Sequence, residues 1–135
     1  MEMNVKNAID DANRWIISAE KNFDSDNYDI ALYSMEMALE IAMKSFLIKN
    51  KIEYPKKHDV MDYFKGASTG NNATKDLKKN IDGLATIFSK LLDLRNDAGY
   101  NFGRLKNDAR LKDESAKLLK ETKKYVEIIE KSCLQ

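Results

Sequence analysis

The chain has 135 residues, 33% of them charged, a net charge of +1, one proline, five glycines and one cysteine. That length suits one domain over residues 1–135 burying roughly two thirds of its unfolded surface, so a core forms without disulfide or metal staples. The lone Cys133 excludes an internal disulfide and no apolar leader follows Met1, so a cytoplasmic protein is expected.

So few prolines and glycines among so many Lys, Glu, Leu, Ile and Ala residues leave helix as the regular structure, and the expected class is all-α. Charge is uneven along the chain. Residues 1–43 hold three Lys/Arg against nine Asp/Glu, whereas residues 44–80 hold nine against four. The lysine blocks around Lys49, Lys56 and Lys75 attract phosphate in principle, yet lysine on exposed helix faces is ordinary and is no nucleic-acid signature by itself.

From Val5 to Phe23 the apolar residues Ala8, Ala12, Trp15, Ile16 and Ala19 recur at helical spacing, which predicts a first helix with Trp15 as a core anchor. Asp24 to Asn27 reads as a turn, with Asp26 as N-cap of the next helix. That helix, over residues 26–49, is the most apolar stretch of the chain. Tyr28, Leu32, Met35, Leu39, Ala42 and Phe46 form its main stripe, while Ala31, Ala38, Ile41, Met43 and Leu47 flank it. A helix apolar nearly all round belongs inside a bundle. Glu36, Glu40 and Lys44 form one row at spacings of four. The row argues against a membrane span, because each such charge costs roughly 2.5 kcal/mol or more on insertion scales. It reads either as a solvent-facing strip or as a polar groove between helices or subunits.

Pro55 is expected to close that helix, and a short helix is expected from about Lys57 to Phe64, ending at Gly66. His58, the single histidine, stands at its start, which excludes a multi-histidine metal site within one chain. Without Glu-x-x-His pairs, a carboxylate-bridged di-iron centre is excluded as well. Thr74 is a predicted N-cap for a long helix to Ala98, with Gly99 as its left-handed terminator. Its stripe is Leu77, Ile81, Leu84, Phe88, Leu91, Arg95 and Ala98. Arg95 thus stands where the pattern reserves a hydrocarbon, and a guanidinium there needs a carboxylate, phosphate or backbone partner. Glu36 and Asp97 are candidates for the carboxylate, and Asn96 and Tyr100 add donors at the same helix end. A last helix is expected over residues 113–134, capped by Asp113, with Ala116, Leu119, Tyr125, Val126, Ile128 and Ile129 on its apolar face. The elements make an antiparallel up-and-down four-helix bundle with one additional short helix.

Several stretches together resemble the HEPN domain (higher eukaryotes and prokaryotes nucleotide-binding): Ala12-x-x-Trp15-x-x-x-Ala19-Glu20, Tyr28-x-x-Ala31, Glu36-x-x-Leu39, Ala42-x-Lys44-x-x-Leu47, His58, and Arg95-Asn-Asp-Ala-Gly-Tyr100. The resemblance spans nearly the whole chain. It implies a helical bundle that dimerises with its polar cleft at the interface. It also implies kinship with metal-independent ribonucleases, many of them toxins encoded beside a nucleotidyltransferase. That family's motif is an arginine, a polar residue, three variable residues and a histidine. Arg95 and Asn96 match its first two positions, and Tyr100 falls at the histidine. Phe102 occupies the place of a tyrosine that partner nucleotidyltransferases modify in one subfamily.

The change at position 100 matters chemically. Metal-free RNA cleavage needs a proton acceptor for the 2′-hydroxyl, and a tyrosine with pKa near 10 is almost entirely protonated at neutral pH. Phosphate clamping by Arg95 and stacking by Tyr100 survive the change. The expectation is a nucleotide-, RNA- or nucleotidyltransferase-binding domain without strong nuclease activity, acting through Arg95, Asn96, Tyr100, Glu36, Lys44 and His58, with no cofactor and no metal. The alternatives are a ribonuclease toxin using Arg95, Asn96 and Tyr100, with His58 approaching from elsewhere, and a purely structural dimerisation module.

Overall fold

The computed structural model describes the backbone of residues 2–100 and 109–135 and the side chains of residues 4–96 and 111–135. Five helices form, α1 (Glu2–Asp24), α2 (Tyr28–Lys49), α3 (Met61–Ser68), α4 (Lys75–Tyr100) and α5 (Ala109–Cys133), and there is no strand among the described residues. The all-α class is therefore as expected.

Helix α2 packs against every other helix. Fourteen of its 22 residues are buried, including Leu32, Met35, Leu39, Met43, Phe46 and Leu47. Its nearly all-round apolar pattern is the cause, since any face left outward would expose hydrocarbon. Polar contacts give the helix directions. Ser18 and Ser34 hydroxyls lie 2.9 Å apart, so α1 and α2 run antiparallel. Thr74 meets Ser132, and Lys90 pairs with Glu114, so α4 and α5 also run antiparallel. Helix α3 crosses between α2 and α4, seating Phe64 against Phe46 with ring centroids 5.5 Å apart.

Both turns flanking α2 differ from the expectation in the same way. Asp26 is no N-cap: its φ is 62°, Asn27 holds the cap position, and the Asp26 carboxylate accepts the Tyr28 hydroxyl at 2.8 Å. Two backbone bonds, Asn27 N–H to Asn22 C=O and Asp26 N–H to Phe23 C=O, make this a Schellman closure of α1. At the other end α2 stops at Lys49, as the sequence predicts, but Pro55 is not what closes it. Lys51 takes φ 58°, and Ile52 and Lys51 donate to the carbonyls of Leu47 and Ile48. The same closure thus recurs with a lysine at the left-handed position, where glycine would have signalled it in the sequence.

The short helix begins at Met61 and continues through Gly66 to Ser68, shifted from the predicted 57–64. Asp59 explains its start, because its carboxylate accepts the Met61 N–H at 3.1 Å. Thr74 caps α4 as expected, its hydroxyl accepting the Leu77 N–H at 3.1 Å. Gly99 does not end that helix, whose backbone continues to Tyr100. A single helical glycine costs only about 1 kcal/mol and breaks nothing by itself.

Helix α5 begins at Ala109 rather than Asp113, and Ala116 faces solvent. The buried stripe runs Leu111, Ser115, Leu118, Thr122, Tyr125, Ile129 and Ser132. Two serines and a threonine on that stripe hid it from a hydrophobic count.

Gly83 of α4 lies so close to α5 that an added Cβ would meet the Tyr125 hydroxyl. Gly83→Ala is accordingly expected to destabilise by about 1 kcal/mol, overpacking outweighing the gain in helix propensity. In a Tyr125→Phe background the same substitution should become stabilising, which urea denaturation of the four chains would show.

Candidate functional site

The row of charges on α2 faces α4 and the segment leading into α3. Glu36 and Glu40 are buried and Lys44 is half-buried, so the row is a polar groove between helices and not a solvent-facing strip. The elements around it are apolar, and the charges persist there because they pair.

Arg95, on α4, is the opposing cation. Its side chain is 14% exposed, and Nη1 lies 3.0 Å from Glu36 Oε2 and 3.7 Å from Glu40 Oε1. Nη2 donates to the Tyr33 hydroxyl at 3.3 Å, while the guanidinium carbon sits 4.5 Å from the centroid of the same ring. Trp15 supports Tyr33 edge-on at 6.0 Å, so it is a prop for the arginine's platform as well as a core residue. The arginine is thus stacked and paired, as a desolvated guanidinium must be. Yet Nη1 does not aim its N–H at Glu36. Neither Glu36 oxygen nor Nη1 has a directed hydrogen bond among the described residues.

Glu40 is the hub. Its Oε2 accepts Lys44 Nζ at 2.8 Å, and its Oε1 lies 3.0 Å from His58 Nδ1. Lys44 in turn lies over the Tyr54 ring at 5.7 Å. His58 precedes α3 instead of starting it, and its side chain is 58% exposed. Outside this cluster lies an open groove of about 400 Å³. One wall is His58 and Asp59; the other is the face of α4 bearing Ser89, Leu92, Asp93, Arg95 and Asn96.

A family model described as HEPN domain matches residues 5–132. The chain belongs to the HEPN domain family. No curated protein matches it. No helix among the described residues is long and apolar enough to cross a membrane.

The HEPN chain therefore brings four of the six expected site residues, Arg95, Glu36, Lys44 and His58, into one cluster through Glu40. Asn96 stands exposed on the groove wall beside it. The Tyr100 side chain, Asp97 as an ion-pair partner and Phe102 lie outside the described residues. Sequence reasoning named Glu40 only as part of a row and passed over Tyr33 and Tyr54. Tyr33 was there to be found: at spacings of three, four and four, Tyr33, Glu36, Glu40 and Lys44 share one helix face.

Glu36, Glu40 and His58 place three ligand-type atoms within 4.8 Å of one another. The arrangement does not suit a divalent cation, since Arg95 and Lys44 already counter the two carboxyl groups at contact distance.

Burial pushes the Glu36 carboxyl up to about 8, with the nearby charge of Glu40 adding to the rise and Arg95 opposing it. Between its ordinary 4.5 and about 8 the folded chain holds a proton that the unfolded chain has lost. This contribution to stability is complete below pH 4.5, declines with a limiting slope of about 1.4 kcal/mol per pH unit, and levels off above about 8. Melting temperatures from pH 5 to 9 should consequently fall less steeply in Glu36→Gln than in the unmodified chain. Parallel curves for the two would refute the assignment.

Proposed function

We propose that this HEPN domain binds a nucleotide or RNA through the groove at Arg95, with one phosphate taking the guanidinium. The observation that carries the reading is Arg95 itself. It is stacked on Tyr33 and braced by two buried carboxyl groups at the edge of an open groove. A guanidinium held in this way is pre-ordered to meet a phosphate in the groove and loses little freedom on binding. Asn96 on the wall adds an amide donor.

Binding is the primary role, because position 100 supplies a phenol where the family motif carries an imidazole. The rim carboxylates Asp59 and Asp93 oppose a long polyanion. The ligand is therefore engaged by about one phosphate, so log affinity should fall with log salt at a slope near −0.7 for a single strand.

Fluorescence anisotropy with labelled single-stranded RNA and with a labelled mononucleotide tests this. Arg95→Lys keeps the charge and loses the fork, and should weaken binding by roughly tenfold or more. Equal affinity of Arg95→Lys, Arg95→Ala and the unmodified chain for both probes would end the reading.

A further inference from the structure

Arg95 is the counter-charge of Glu36, and any anion bound in the groove competes for it. Glu36 and Glu40 stand one turn apart on α2, both buried, with an oxygen of each within 4.8 Å of the other. Glu40 has partners of its own, Lys44 Nζ at 2.8 Å and His58 Nδ1 at 3.0 Å. Glu36 does not share them. Among the described residues Arg95 Nη1, at 3.0 Å, is the only cation within 4.0 Å of Glu36. A phosphate in the groove brings a further negative charge to the same guanidinium. One positive charge then faces a phosphate and a carboxylate, and a buried carboxylate short of its counter-charge is far more costly than the neutral acid.

We infer that the Arg95 groove takes up its anion together with a proton, and that the proton lodges on Glu36. The inference rests on the binding reading above and adds what regulates it, an affinity that falls as the solution becomes alkaline. Glu36 touches Arg95 and not the ligand, so it acts through the arginine. The proton goes to Glu36 because Glu40 retains Lys44 whatever happens at Arg95.

The direction and the pH window follow from the charges around the carboxyl. Burial already pushes Glu36 up to about 8 while Arg95 opposes the rise. A phosphate on Arg95 weakens that opposition, so in the complex the carboxyl rises further. Where the complex holds a proton that the free chain has lost, binding consumes a proton and weakens with increasing pH. That window opens near 8, the value of the free chain. The titratable and charged groups around Glu36 are Tyr33, Glu40 and Lys44 on its own helix, Arg95 on α4 and His58 in the segment before α3, with Asp59 and Asp93 on the groove rim. Among the described residues α1, α3 and α5 bring no charge that moves it.

The test uses the full chain and a short oligoadenylate without terminal phosphates, an RNA with no group of its own that titrates near pH 8. Isothermal titration calorimetry at pH 8 in Tris and in HEPES, buffers of unlike ionisation heat, should give different apparent enthalpies. The difference should correspond to uptake of about half a proton per chain bound. Affinity should fall at least about fivefold from pH 7 to pH 9. In Glu36→Gln, whose amide stands in for the protonated acid, the buffer difference should vanish and the fall should shrink below about twofold. The calorimetry of the unmodified chain decides the matter without any substitution. Binding with equal enthalpies in the two buffers, or a fall with pH that Glu36→Gln retains, overturns this inference and leaves the binding reading standing. Absence of binding at every pH overturns both.

Discussion

Arg95→Leu is expected to lower the melting temperature by roughly 10 °C at pH 8, corresponding to about 3 kcal/mol for a chain of this size. The reason is what the substitution leaves behind. Glu36 and Glu40 are both buried, and Arg95 is the only cation within 4.0 Å of Glu36 among the described residues. Without the guanidinium the shared negative charge keeps Lys44 and His58 at its Glu40 end and nothing at its Glu36 end. A proton on Glu36 can stand in for the lost cation, so the deficit should shrink at pH 6, where the carboxyl is already largely protonated. The double variant Arg95→Leu, Glu36→Leu should recover most of the loss, because replacing a buried ion pair by hydrocarbon is often neutral or stabilising. Differential scanning calorimetry of the three chains at both pH values measures all of this. A single variant as stable as the unmodified chain would mean that the ion pair holds nothing together.

The second large effect belongs to α2. Phe46→Ala removes a fully buried ring that packs against Phe64 of α3, and should cost about 4 kcal/mol in urea denaturation. Its loss also leaves α3 with less to dock on, and α3 follows directly from the segment carrying His58. Ile30→Ala, on the same helix at an exposed position, should change stability by less than about 0.5 kcal/mol. If the two substitutions cost alike, α2 is not the helix around which the core is organised.

These effects show which parts of the molecule local pattern could foresee. The long helices announced themselves because apolar residues at spacings of three and four leave little choice of partner surface. The charged row on α2 was equally visible, but whether it met water or another helix was not, since spacing says which residues share a face and nothing about what covers it. The turns misled for a related reason. Asp26 and Lys51 adopt left-handed backbone that glycine usually marks, and the chain closes α1 and α2 there through backbone hydrogen bonds that leave no signature in side-chain type. On α5, serine and threonine occupy buried positions that a count of hydrocarbon side chains passes over.

The site divides along the same line. Arg95 was conspicuous as a charge on an apolar stripe, and its partner Glu36 was named from charge complementarity. That His58, more than thirty residues upstream, shares a carboxylate with Arg95 follows only from the way the loop after α2 folds back along α4. By itself, the order of residues determined an all-helical chain, a central apolar helix and an arginine in need of a partner, because these depend on local periodicity and the cost of burying charge. The tertiary structure alone decided that Glu40 would join an imidazole and that arginine, because such a meeting depends on contacts between segments distant in the chain, which local periodicity does not encode.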